Sequence, residues 1–235
     1  MFPYPYGDGD PFLEYFFHFN IGHNNILCPL KNGLSSECPI CEVATDLYNS
    51  NDPADKEASK KLYARSRYFG TVLDRADETL TGKYWGFSQG LLIKFSTWLE
   101  EDGGDYENFM DFDEGLDLTV FMERSPNKTF PAVMVEPKRR ESPLAKSKED
   151  LDAILKSVKP ASEMFTPLTT EQIQAKLDEW LNSEDAHTAA PADDSAGVVK
   201  GGNGKKEAPA EEKPEKKRRV AKDIEDVFAE NFPDA

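Results

Sequence analysis

Cys28, Cys38 and Cys41 are the cysteines of this 235-residue chain, and they fall within one short stretch. In Cys28-x9-Cys38-x2-Cys41 the Pro39-Ile40 link holds two thiolates close enough to share one ion. The preceding Cys28-Pro29 offers a third from a knuckle-like bend. A tetrahedral site needs one more ligand, and His18 and His23 stand just upstream. Soft thiolates with one imidazole favour zinc over calcium or magnesium. Three thiolates and a histidine fill the shell and leave no position for water. The expected cofactor is therefore one structural Zn2+ that contributes folding energy without catalysis. Two other readings compete with it: a redox pair at Cys38 and Cys41, and reduced thiols without metal. An odd cysteine count, with no export signal, argues against a disulfide framework.

A second constellation mixes cations with aromatic rings. Lys60, Lys61, Arg65 and Arg67 interleave with Tyr63 and run into Tyr68 and Phe69. Lys83, Tyr84, Trp85 and Phe87 repeat the mixture, and Lys94 follows. Single-stranded nucleic acid is gripped by cations that track phosphates and rings that stack on bases. The plainer reading is a barrel core, because alternate aromatics on strands point inward. About half of these rings are expected to be core for that reason. Acid opposes nucleic-acid binding: Glu100 to Glu123 carries many carboxylates and no Lys or Arg, and the chain has a formal net charge of −16. Local field over a cleft outweighs net charge in deciding what binds there.

These side chains need a scaffold. Aromatic and β-branched runs predict strands at Phe12–Phe19, Tyr68–Leu73, Gly82–Phe87, Leu116–Met122 and Ala132–Val135. Helices are expected at Pro53–Ala64, Gly90–Glu101, Ser147–Lys156 and Thr170–Leu181; the last follows a Thr cap and carries Ile173, Leu177, Trp180 and Leu181 on one face. The fold class is mainly β with peripheral helices (α+β), built on a small five-stranded barrel. From about Ser183 the composition turns to Ala, Asp, Glu, Lys, Pro and Gly, which reads as a disordered tail over 183–235. Its end, Val220–Ala235, spaces Val220, Ile224, Val227 and Phe228 helically among acids, as a partner-docking tip. Lys216-Lys217-Arg218-Arg219 just before it resembles a nuclear import signal but reads more simply as a solvated basic run. No apolar run reaches the roughly 20 residues of a membrane span, and no signal peptide opens the sequence.

Taken together, the order of motifs is familiar. An aromatic strand with His18-Phe19 leads to Cys-x9-Cys-Pro-x-Cys and then Asp46-Leu47-Tyr48-Asn49. Arg67-Tyr68-Phe69-x-x-x-Leu73, Gly82-Lys83 and a helix follow. Over about residues 10–180 this resembles the zinc-containing single-stranded DNA-binding proteins of T-even-type tailed phages, the helix-destabilising family. The resemblance implies an OB-fold core over 1–145 with an inserted zinc subdomain (about 18–50), peripheral helices over 146–182 and an acidic tail. It implies His18, Cys28, Cys38 and Cys41 as zinc ligands, with His23 the alternative to His18. It further places Tyr68, Lys83 and Phe87 toward DNA. The expected DNA-binding set is Lys60, Lys61, Tyr63, Arg65, Arg67, Tyr68, Lys83, Tyr84, Trp85, Phe87 and Lys94. Expected partners are single-stranded DNA and, through the tail, replication and recombination proteins, in the cytoplasm of an infected bacterial host. The family's basic N-terminal arm has no counterpart in Met1-Phe2-Pro3-Tyr4-Pro5, which leaves self-association along DNA open.

The expected function is non-sequence-specific single-strand binding in phage DNA replication, recombination and repair. A zinc-stabilised interaction adaptor without intrinsic DNA binding is the alternative. An enzyme is not expected, because no nucleophile–base pair, phosphate loop or open metal site appears. Asp111, Asp113, Glu114 and Asp117 could in principle bind a divalent ion, but a solvated acidic loop accounts for them.

Overall fold

The computed structural model describes residues 1–183 apart from 8–9, 23, 78, 102 and 125–131. His23 and the tail from residue 184 lie outside the described residues. The fold is mixed α+β. A four-stranded antiparallel sheet has the order β2-β1-β3-β4, with β1 at Phe12–Ile21, β2 at Asn24–Leu27, β3 at Arg65–Leu73 and β4 at Gly82–Phe87. It curls into a half-barrel. A separate ribbon pairs β5 (Leu116–Glu123) with β6 (Ala132–Glu141). Among the described residues, six strands in two sheets thus stand where the sequence suggests one five-stranded barrel.

The aromatic run in β1 lacks polar alternation because the strand is central and covered on both sides. Phe12 faces one core with Phe87 of β4, and Phe95 and Trp98 of α3 (Gln89–Glu100). Phe109 and Val135 complete that core, which seats the ribbon. Phe17 turns the other way, toward Phe69. A third cluster joins Phe2 and Leu144 to Ile154 and Val158 at the end of α4 (Lys148–Ser157). Ser147 caps α4 by accepting from the Asp150 amide. Arg75, after β3, fixes the ribbon's base: it donates to Asp117 at 3.0 Å and to the carbonyls of Pro143 and Leu144 at 2.8 and 3.0 Å.

Besides a 3-10 turn at Ala161–Glu163, two elements lie outside the sequence reading. One is the short β2. The other is α1 (Pro39–Asn49), which runs into α2 (Pro53–Leu62) through an Asp52 cap. Pro39 at the first helical position has the φ a helix start requires and no amide to leave unsatisfied. Both helices, with α5 (Thr170–Leu181), pack on one end of the sheet. Ile21, Ile26, Ile40, Leu62, Ile173, Leu177 and Trp180 bury that contact around Cys28 and Cys38. Thr169 and Gln172 close a reciprocal capping box at the start of α5.

Candidate metal centre and candidate nucleic-acid interface

His18, Cys28, Cys38 and Cys41 converge, with their ligand atoms all within 4.8 Å of one another. Each comes from a different local device. His18 sits on β1, and its Nδ1 lies 2.6 Å from the Leu62 carbonyl. A carbonyl only accepts, so Nδ1 carries a proton, and Nε2 is the nitrogen that faces the sulfurs. Cys28 ends β2's hairpin, where the Lys31 amide donates to its sulfur at 3.4 Å. Asn32 pins that bend to β1: it accepts from the Phe16 amide at 3.0 Å and donates to the Phe16 carbonyl at 2.8 Å. Cys38 is the N-cap of α1, and Cys41 lies in its first turn. The two sulfurs therefore meet at a helix N-terminus, whose dipole favours thiolates.

The sulfur–sulfur distance of Cys28 and Cys41 is 3.6 Å, and Nε2 lies 3.4 Å from Cys38 Sγ and 3.6 Å from Cys41 Sγ. All three cysteines are free thiols. Burial alone would lower the His18 pKa, but hydrogen bonding and charge from Cys28 and Cys38 outweigh it and raise it to about 9. Hydrogen bonds from Cys38 and Cys41 hold Cys28 far below the ordinary thiol range, and the same pairing pushes Cys41 up. Three sulfurs and one imidazole, all buried except the half-buried Cys41, lie close enough together to share one cation. The site can bind a metal ion. No family model and no curated protein matches the chain. The site's meaning therefore rests on its own geometry.

Strand register sorts the second constellation. Residues directly opposite each other in an antiparallel pair share a face. Arg65 stands opposite Phe17, Arg67 opposite Tyr15, Phe69 opposite Leu13 and Gly86, and Thr71 opposite Tyr84. Arg65, Arg67 and Tyr84 thus share one face with Tyr15, Phe17 and Phe69. Tyr68, Lys83, Trp85 and Phe87 lie on the other. Phe87 is 2% exposed and packs edge-on against Phe95 and Phe12, so it has no open surface for a base. Tyr68 and Trp85 flank the same core. Placing Phe87 toward DNA is therefore corrected: the α3 face of the sheet needs its ring as core.

The cations are variously engaged. Lys83 pairs with Asp77. Lys94 donates to the Val135 carbonyl at 2.6 Å and lies over Trp98, far along α3. Lys60 pairs with Glu57 on exposed α2. Tyr63 caps α2 and meets Tyr48 of α1 at 6.4 Å between ring centroids, with Tyr48 half exposed. Tyr15 and Tyr48 stand outside the cation–aromatic set read from the sequence, although Tyr15 shares the arginine face and Tyr48 meets Tyr63. Their signal is register and helix facing, which need the pairing to be known.

Among the described residues no other cluster of His, Cys, Asp or Glu is arranged for a metal. Asp111 accepts instead from the amides of Asp113 and Glu114 at 2.8 and 2.9 Å, and Asp117 pairs with Arg75 and Lys138. No helix in the described residues is long and apolar enough to cross a membrane.

Proposed function

We propose that the chain binds single-stranded DNA without sequence preference and that a structural zinc holds its binding surface in shape. The observation that carries the reading is the shared face of Arg65, Arg67, Tyr15 and Phe69 on a curled sheet. Cations beside ring faces are what an unstacked strand needs: charge for phosphates and π-surfaces for bases. A half-barrel of antiparallel strands is consistent with an OB-fold relative, and the motif order with the phage helix-destabilising family. Coating of exposed strands during replication, recombination and repair follows from that relationship.

Zinc is favoured by donor type and by edge length. Tetrahedral zinc, with bonds of about 2.3 Å to sulfur and 2.0–2.1 Å to nitrogen, sets sulfur–sulfur edges near 3.8 Å and sulfur–nitrogen edges near 3.5 Å. The measured 3.6 Å, and 3.4 and 3.6 Å, agree. When bound, the ion supplies folding energy by joining β1, the Cys28 bend and α1. His18 is held for it by Leu62.

Fluorescence anisotropy of labelled oligo-dT against a duplex of equal length, with the full chain at low salt, tests the reading. Salt-sensitive preference for the single strand is expected. Binding to neither would leave the adaptor function. The exposed Val120, Phe121, Met122 and Met134 of the ribbon favour that second reading.

A further inference from the structure

Val158–Thr169 links α4 to α5 and crosses the arginine-bearing face of the sheet. Tyrosine hydroxyls hold its backbone. Tyr6 donates to the Val158 carbonyl at 3.0 Å, Tyr84 to that of Lys159 and Tyr15 to that of Ala161 at 2.8 Å. The Ala161 amide in turn donates to the Tyr4 hydroxyl at 2.7 Å. Further along, Phe165 lies among Tyr15, Phe17 and Phe69, with ring centroids 5.1, 5.1 and 5.4 Å away and near edge-to-face angles.

These contacts differ from those of a core element. The strap exposes Lys159, Ser162, Glu163, Thr166 and Pro167 and buries little beyond its anchors. What holds it is ring faces and phenol hydroxyls. Ring faces stack on any base, and hydroxyls bond to phosphate or sugar as readily as to carbonyls or amides. Both ends are fastened independently: Ile154 and Val158 in one cluster, Ile173, Leu177 and Trp180 in another with Cys28 and Cys38. The middle can therefore lift while both helices stay docked.

We propose that the Tyr15–Phe17–Phe69 cluster is a seat for an unpaired nucleobase, and that Phe165 fills it in cis. A single strand displaces the strap to reach the sheet, and Arg65 and Arg67 on the same face take its phosphates. The inference rests on the single-strand reading above and names the surface that reading uses. A ligand that binds only the open form has its affinity reduced by the fraction of chains that are open.

The test compares the full-length wild type with Phe165→Ala and Tyr15→Phe by anisotropy on oligo-dT. Phe165→Ala empties the seat; Tyr15→Phe removes one tether and keeps the ring. Each is expected to bind about three- to tenfold tighter, the range that losing one or two ring or hydroxyl contacts implies. Amide exchange over 158–169 in the wild type should quicken when oligo-dT is added. Phe165→Ala that binds no tighter, with melting and metal content unchanged, overturns the proposal and leaves single-strand binding standing. Should Phe165→Ala fail to fold, Tyr15→Phe decides by the same criterion. Slower exchange over 158–169 on adding oligo-dT also overturns it, because the strap would then clamp the strand. If no variant and not the wild type binds oligo-dT, the single-strand reading falls and the base seat with it.

Discussion

His18 adds a polar link between elements that the apolar cluster around Cys28 and Cys38 already packs together. One nitrogen is fixed on Leu62 at the end of α2, and the other faces sulfurs from the Cys28 bend and α1. A substitution here removes a ligand and a link between elements. On the structural-zinc proposal, His18→Ala and Cys41→Ala are expected to abolish zinc binding and to cost more than about 4 kcal/mol of stability, as loss of a structural metal does. Dye-detected zinc release and thermal melting by circular dichroism measure both. A variant that keeps its zinc and its melting point would refute the site. Arg67 tests the other constellation at the same scale. Each phosphate contact on a single strand contributes about 0.7 to the slope of log affinity against log salt. Arg67→Ala should flatten that slope by about this amount and Arg67→Lys should keep it. An unchanged slope for Arg67→Ala would move the interface elsewhere.

Gly82 and Asp117 carry the predictions that belong to whole elements. A Cβ on Gly82 would collide with Val158 Cγ2 and lie 3.3 Å from the Ile154 carbonyl, where α4 meets β4. Gly82→Ala should therefore cost about 1–3 kcal/mol by overpacking, read from denaturant melts. At the ribbon's base, burial alone would raise the Asp117 pKa, but Arg75's hydrogen bond and charge, then Lys138's, outweigh it and lower it. A carboxylate with a depressed folded pKa stabilises the fold above its unfolded pKa of about 4 and stops doing so as pH falls through the folded value. The stability gap between wild type and Asp117→Asn should be open at pH 7 and closed near pH 2. A gap independent of pH would mean the ion pairs contribute nothing. Elements of this kind differ in how readily the sequence reveals them. β4 and α5 are read from it with their observed bounds, since an aromatic run and a Thr cap before an apolar helical face are local signals. Ile40, Val43, Ala44 and Leu47 do have helical spacing in α1, but a Cys-Pro-x-Cys start suits a knuckle and a helix's first turn equally. The metal ligands are legible as residue types at short spacing. The proposed interface is not, because Tyr68 and Phe69 are neighbours that register sends to opposite faces.

Charge acts over the molecule as a whole. On the single-strand proposal, a chain of net charge −16 must meet a polyanion through the Arg65 and Arg67 face, so long-range repulsion and short-range attraction would compete. The sequence beyond residue 183 bears on that competition. Its end carries Asp223, Glu225, Asp226, Glu230 and Asp234 without a basic residue after Lys222. On the single-strand proposal, a tethered acidic segment of this kind is expected to compete with phosphates at high effective concentration. Removing residues 183–235 is therefore expected to tighten binding to oligo-dT several-fold at low salt. The gain should shrink as ionic strength rises, since the Debye length falls from about 30 Å at 0.01 M to about 8 Å at 0.15 M. Titrations of both chains across that range separate this effect from the strap. A gain produced by Phe165→Ala comes from lost ring contacts and should persist in salt, whereas one that comes from the tail should fade. Equal or weaker affinity of the shortened chain at every salt concentration would eliminate competition by the tail.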